Sequence, residues 1–553
     1  MTKIRSFLIL FLFSLFSVQN ASASSYDSIT YNLSTKNIQN YILNVEIILK
    51  GKFQDQLILD LPSKWAGVEY NEQIKNIQVA DGHKLELIHR NNNEQAVITI
   101  SDNQNTELKI TYEIHQKAGN PSDIHEAIVR HDLIHAPGYG VFATPTDLNG
   151  DDKINISINW FDLDPKWLTL SSYGTKNNFR KQLSAPELLH AVYAVGNIRL
   201  HQISIEKSPV YLSLYGKFDL EDEQIISDIE GIIDSQRKFF DDYNFPYYAI
   251  SLIEGDRPNS MGGTRLYNSF TAFLPKEMDR SDYYILFAHE HLHNWIGGRI
   301  QNNKDEELNY WWSEGFTDYY ARLIAYRSGA IDRTTFIKEI NNFLLSYYLS
   351  PVAQQPNARI KKDFWNNYDI EKLPYYRGFV FAIYLNDLIK KENFTKSLDD
   401  VMHDLLKETP KKFSVGLFKK IVGKYVKNGI DKEISSFIDA GNIISLEYVS
   451  LPIQKNLVKG YYLGFDKDAF QSEKRITNVD IRSNAYKSGI RNNQEVLGYD
   501  ITKGYRNSNQ TITIKTTGGE HKFVPEHYKK KQVFQIKQIM SQEEQKSFDR
   551  FFD

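Results

Sequence analysis

Between Tyr26 and about Val210, apolar and polar positions alternate mainly with period two. The runs Tyr41 to Leu49, Gln56 to Pro62, Ala96 to Ile100 and Glu107 to Tyr112 each place one apolar side chain on every second residue or form a short β-rich block, the pattern of strands with one buried face. From Asp219 the period changes. Ile225, Ile226, Ile229, Ile232, Ile233 and Phe240 recur at helical spacing. One short strand, Tyr248 to Ile253, follows, and helical patterning then dominates to about Ile444. From about Leu451, strands and glycine-containing turns return. The pattern predicts a multidomain α+β chain: a β-sandwich-like N-terminal domain over 24–210, a mainly helical domain over 211–450, and a third domain over 451–545. There is no internal repeat.

The first residues read as an address. Lys3 and Arg5 precede an apolar run from Phe7 to Val18, and Ala21-Ser22-Ala23 supplies the small residues of a cleavage site. Residues 1–23 are therefore expected to be a signal peptide; an N-terminal anchor is the other reading. The run is shorter than the roughly 20 residues that span a bilayer. No cysteine stands at the cleavage point, which excludes a bacterial lipoprotein. The expectation is an exported bacterial protein, periplasmic or secreted, with no stable membrane insertion. With no cysteine among 553 residues, disulfides, thiolate metal sites and cysteine nucleophiles are excluded. Any metal must be held by His, Asp or Glu. A net charge of -3 gives no basic field for nucleic acid.

The candidate chemistry lies in His289-Glu290-His291-Leu292-His293, inside an apolar, tyrosine-rich run from Tyr283 to Trp295 that reads as a buried helix. At about 100° per residue, His289 and His293 point about 40° apart on one face, so both imidazoles can hold one zinc ion. Glu290 projects to the side, near enough to act on a water without ligating. His291 lies on the far side, as a packed or solvated histidine. A second helical segment begins at Trp311-Trp312-Ser313-Glu314-Gly315-Phe316-Thr317-Asp318. Glu314 completes a His-His-Glu set with the fourth position open. Asp318, one turn on, is placed to accept the other ring N–H of a ligand histidine. Glu306 and Glu307 compete for the third-ligand role. His131 and His135 share the same spacing but sit in a strand-rich region without a following Glu motif, and read as structural.

These stretches resemble the gluzincin metallopeptidases, the thermolysin-like superfamily. His293-Asn294-Trp295-Ile296-Gly297-Gly298 and Trp311-x-x-Glu314-Gly315-Phe316 are similar to the alanyl aminopeptidase family. Ser313 to Tyr320 resembles the glycyl aminopeptidase family more closely. The resemblance implies a thermolysin-like catalytic domain behind the β-rich domain and a C-terminal PDZ-like domain. Pro374-Tyr375-Tyr376-Arg377-Gly378 resembles the Tyr-x-Lys-Gly segment of both families, which implies that Tyr375, or else Tyr376, stabilises the oxyanion. Gly262-Gly263-Thr264-Arg265 resembles the Gly-x-x-Glu strand that anchors a substrate's free amine, but Arg265 stands where Glu is expected. A guanidinium repels an ammonium. Arg265 instead suits a carboxylate, from the substrate or from the protein itself, for instance Glu254. Tyr462-Leu463-Gly464-Phe465 resembles the PDZ loop that takes a peptide carboxylate, and Ser483 to Ile490 its short helix.

The sequence thus predicts an exported metallopeptidase with one zinc ion and a peptide or protein substrate. His289, His293 and Glu314 are the expected ligands, Glu290 the base, Tyr375 the oxyanion donor and Asp318 the support for a ligand. Gly262, Gly263 and Arg265 are expected at the substrate, and Leu463, Gly464 and Phe465 at a peptide C-terminus. An endopeptidase of the same fold and a non-catalytic peptide-binding protein are the alternatives.

Overall fold

A computed structural model describes residues 25–553, apart from 91–92, 101–105, 118–123, 149, 151, 207, 256–260, 304 and 501–510. The expected signal peptide lies outside the described residues. The chain divides into two compact units, and the first ends at Asn197.

In the first unit, period-two alternation becomes strand pairing. Ile42–Lys52 pairs antiparallel with Ser25–Ser34 on one side and Glu107–His115 on the other. Leu43, Val45, Ile47 and Leu49 all turn inward. Ile154–Phe161 joins the same six-stranded sheet, parallel to Ser25–Ser34. Gln56–Asp60 belongs to a separate four-stranded sheet with Asn93–Thr99.

The second unit begins with two strands whose alternation continues that of the first, β1 (Arg199–Ile205) and β2 (Ser208–Tyr215). They pair instead with β3 (Tyr248–Glu254), β4 (Gly262–Leu266) and β5 (Ser269–Leu274), in the order β1-β2-β3-β5-β4. β3 runs parallel to both neighbours and is apolar almost throughout, as a strand covered on both faces must be. β4 is the edge strand and lies antiparallel to β5.

Helices pack on this sheet. α1 (Asp222–Phe240) buries Ile225, Ile229, Ile232, Ile233 and Phe240. It begins with Asp222 and Glu223 and ends with Arg237 and Lys238, charges that complement its dipole. α2 (Arg280–Leu292) is buried over its whole second half. α3 (Tyr310–Ser313) and α4 (Gly315–Arg327) follow, with Glu314 at their junction, then α5 (Arg333–Leu349) and α6 (Tyr368–Glu392).

The crossing of α4 and α6 is set by two glycines. A Cβ on Gly378 would lie 1.7 Å from the Trp311 carbonyl oxygen and 2.9 Å from the Gly315 Cα. Gly315 follows Glu314 directly, and Gly378 is one turn beyond Tyr375, so this contact fixes the distance between the helices carrying both side chains. Gly378→Ala is expected to cost about 3 kcal/mol, as a methyl forced against backbone does, and to lower activity with it. Gly416→Ala, whose new methyl meets nothing closer than 4.0 Å, is the control. Urea unfolding of both variants checks this, and equal midpoints would remove the close-approach argument.

Near the C-terminus, β6 (Ile453–Tyr461) pairs with β7 (Glu526–Ile536). Val533, Phe534 and Ile536 of β7 join the core of the helices, and Asn341 of α5 exchanges two hydrogen bonds with the Ile536 backbone. α7 (Gln542–Phe552) adds Phe548, Phe551 and Phe552 to the same core. Between β6 and β7, Leu463, Phe465, Phe470, Ile476, Ile490 and Ile514 belong to a smaller core of their own. Among the described residues, no helix is long and apolar enough to cross a membrane.

Candidate active site

α2 delivers His289 and Glu290, and His293 caps its end. His289 Nε2 and His293 Nε2 are 3.0 Å apart. Glu314 Oε2, from the α3–α4 junction, lies 3.3 Å from the first and 3.4 Å from the second. The three side chains are the group of potential metal ligands found among the described residues. Their other ring atoms fix the tautomers. His289 Nδ1–H donates to Asp318 Oδ1 at 3.2 Å, and His293 Nδ1–H donates to the Ile296 carbonyl at 3.0 Å. With both Nδ1 atoms engaged as donors, the two Nε2 lone pairs and a carboxylate oxygen converge on one point. Such a set can hold a cation at its centre. Zinc held at about 2.0–2.1 Å by tetrahedral ligands separates them by about 3.3 Å, so the donor set fits that ion.

The electrostatics agree. Burial opposes charge on the His289 imidazole, yet Asp318, with Glu314 and Glu290, outweighs burial and lifts it to about 10. Burial likewise opposes the Glu314 and Asp318 carboxylates, but the two histidines hold Glu314 well below the usual carboxylate range, and Arg322 with His289 lowers Asp318. The pocket recruits a proton where it can; a divalent ion answers the same field with two charges.

Behind the triad runs a chain of supports. Arg322 NH1 donates to Asp318 Oδ1 at 2.8 Å, and its Nε donates to Glu339 at 3.3 Å. Its guanidinium also lies 4.2 Å from the centre of the Phe343 ring. Arg322 and Glu339 are missing from the reading of the sequence. The i,i+4 spacing of Asp318 and Arg322 was a signal for the first; nothing local points to the second. Asp318→Asn is expected to weaken zinc binding by about 10- to 100-fold, measured by competition with a chromophoric chelator. Unchanged affinity would detach Asp318 from the ligand.

Glu290 is 6% exposed. Its side chain lies against Gly263 of β4, where a Cβ would stand 2.7 Å from Glu290 Cγ and 2.9 Å from its Oε1. Only a residue without a side chain leaves Glu290 in this place. His291, on the opposite face, is fully buried and its Nδ1–H donates to Gln236 Oε1 at 2.7 Å; it is packed rather than solvated. Tyr375, on α6, stacks near His289 with ring centres 6.2 Å apart. Burial, reinforced by Glu314 and Glu371, raises its hydroxyl well above the ordinary value, so it stays a proton donor. The Tyr376 ring turns instead to Phe343. Glu306 is exposed, and with Glu307 stands outside the ligand cluster.

Arg265 is half-buried on the edge strand β4. Glu254 accepts the Lys217 N–H at 2.7 Å. The predicted carboxylate loop contributes nothing to the ligand cluster: Leu463 and Phe465 root in the small C-terminal core, and Gly464, at φ +85°, packs its backbone against Ser483. In the first unit, His135 is buried, and burial lowers its imidazole to about 3, while His131 is exposed.

Residues 282–376, which hold all three clustered side chains and Tyr375, match the M61 glycyl aminopeptidase family. The chain is 23% identical over 230 residues to leucine aminopeptidase 2 of Aspergillus oryzae, a stretch that covers 40% of this chain and 35% of that protein. It thus spans about a third of the length of this curated relative. The structure resembles that of an aminopeptidase N family protein from Idiomarina loihiensis, with a TM-score of 0.73 and 15% identity over 95% of this chain and 100% of the other. In sequence around the site and in fold along most of its length, the chain resembles the gluzincin aminopeptidases.

Proposed function

We propose that the protein is an exported zinc metallopeptidase that hydrolyses peptide bonds, built on an aminopeptidase-like scaffold with an atypical amine-anchor position. The observation that carries this reading is the convergence of two Nε2 lone pairs and the Glu314 carboxylate on one point, 3.0 to 3.4 Å apart. His289, His293 and Glu314 hold one zinc ion, which when bound makes water acidic near neutral pH and polarises a carbonyl. Glu290 takes the proton from the attacking water and returns it to the leaving amine. Tyr375, kept protonated, donates to the oxyanion as it develops. Asp318 holds the His289 ring so that its Nε2 points at the ligand cluster. The open edge of β4, at Gly262 and Gly263, suits main-chain pairing with an extended peptide.

The charge of Arg265 favours a second reading for chain-end preference: an endopeptidase, or an exopeptidase that does not require a free amine. The small core between β6 and β7, with its short helix Asn484–Lys487, supports a PDZ-like module whose Leu463-Gly464-Phe465 loop takes a peptide C-terminus. Lys3, Arg5 and the apolar run after them support export through a signal peptide over 1–23 to a bacterial periplasm or medium.

The test is a mass-spectrometric digest of a mixed peptide library by the purified mature protein, with blocked-terminus peptides included and Glu290→Gln as control. Stepwise loss from free N-termini establishes an aminopeptidase; cleavage only inside chains establishes an endopeptidase. Zinc-loaded protein no more active than the control would leave a peptide-binding protein.

A further inference from the structure

We propose that Arg265 is a substrate-recognition residue whose guanidinium binds a carboxylate lying within about two residues of the scissile bond, so that the site selects acidic peptides. The inference rests on the metallopeptidase reading and adds the substrate class.

Strand parity places the residue. Along β4, alternate side chains share a face, so Arg265 points to the same side as Gly263. That side is the one on which Glu290 lies, in contact with Gly263. Two residues of extended chain span about 7 Å. A peptide whose carbonyl lies beside Glu290 and whose backbone follows β4 therefore brings its next-but-one group to Arg265. The electrostatics agree with that placement. The Tyr248 hydroxyl accepts an N–H from Asn294 at 3.1 Å, one residue past His293. That hydroxyl feels the positive charge of Arg265 and the negative charge of Glu290 together. Arg265 is itself half-buried, so its charge is partly withdrawn from solvent. Tyr267 and the exposed Glu306 are the other groups that act on it.

The chemistry follows from the group. A guanidinium stays cationic and presents a planar fork of donors that matches a carboxylate and repels an ammonium. In a partly desolvated place, that preference is strong. The geometry assigns no polarity to the substrate, so the acidic group is sought on both sides of the bond.

The experiment uses zinc-loaded full-length protein and peptides in matched pairs, Asp against Asn and Glu against Gln, at each of the two positions on either side of the cleaved bond. At one position the acid is expected to exceed its amide in kcat/KM by about 10- to 100-fold, with the ratio falling as salt is added. Arg265→Gln is expected to bring the ratio close to one, and Arg265→Glu, which repels a carboxylate, to invert it in favour of the amide. No position with an acid preference, or a preference that survives in Arg265→Gln, overturns the assignment and leaves a structural ion pair. If the variants fail to fold, the wild-type ratio and its salt dependence decide alone. If the wild type cleaves no peptide, the metallopeptidase reading fails separately; calorimetric titration of the same pairs then decides, and equal affinities overturn the proposal.

Discussion

Glu290→Gln is expected to retain zinc at wild-type affinity while turnover falls by at least about 10²–10⁴-fold, the range for loss of a positioned general base. The two halves of this outcome come from different parts of the site. Glu290 is not among the three clustered ligand atoms, which belong to His289, His293 and Glu314. Its carboxylate is seated by Gly263, and a glutamine of the same shape fits the same seat. What is lost is only the capacity to take a proton. The supports of the ligands, Asp318 for His289 and the Ile296 carbonyl for His293, are untouched. Zinc content by atomic absorption and kcat on the best library peptide measure both halves. Hydrolysis at the wild-type rate would assign the base elsewhere; loss of zinc would move Glu290 into the ligand set.

How much of this was legible in the sequence depended on the range of the interaction. His289 and His293 are four residues apart, and helical geometry alone puts them on one face. Asp318 follows Glu314 by one turn, and the same geometry carries it to His289. Period two likewise announced the strands Ile42–Lys52 and Glu107–His115. What periodicity does not encode is the partner. The alternation of Arg199–Ile205 and Ser208–Tyr215 is that of any strand, and only tertiary pairing shows that they join Tyr248–Glu254. Gly263 was legible as part of a motif, but its contact with Glu290 brings a strand edge to a helix. Gly315 and Gly378 meet across 63 positions, and Glu339 reaches Asp318 only through Arg322. The strands at Ile453–Tyr461 and Glu526–Ile536 pair around an entire small core, and β7 serves the helical core as well. A boundary drawn from local pattern has no means of seeing that shared use.

Removal of the metal is expected to abolish turnover and to lower the melting temperature of the second unit by about 5 °C at a zinc concentration 1,000 times its Kd, where binding contributes about 4 kcal/mol. One equivalent of zinc is expected to restore both. The stabilisation is large because the ligand atoms are already gathered. His289 and Glu314 are almost wholly enclosed, and the Asp318–Arg322–Glu339 chain holds the cluster from behind. Without the divalent ion, a proton on His289 answers the Glu314 and Asp318 carboxylates with one charge in place of two, and the folded state is held less firmly. His293→Ala removes one ligand and is expected to behave as the chelated protein does, inactive and indifferent to added zinc. Glu290→Gln, inactive for another reason, is expected to show the full thermal response to chelator. That contrast separates the two roles on α2 without any assay of catalysis. A chelator that leaves the melting curves of the wild type and Glu290→Gln unmoved, at zinc contents shown to have fallen, would mean that the cluster is held by its hydrogen bonds alone.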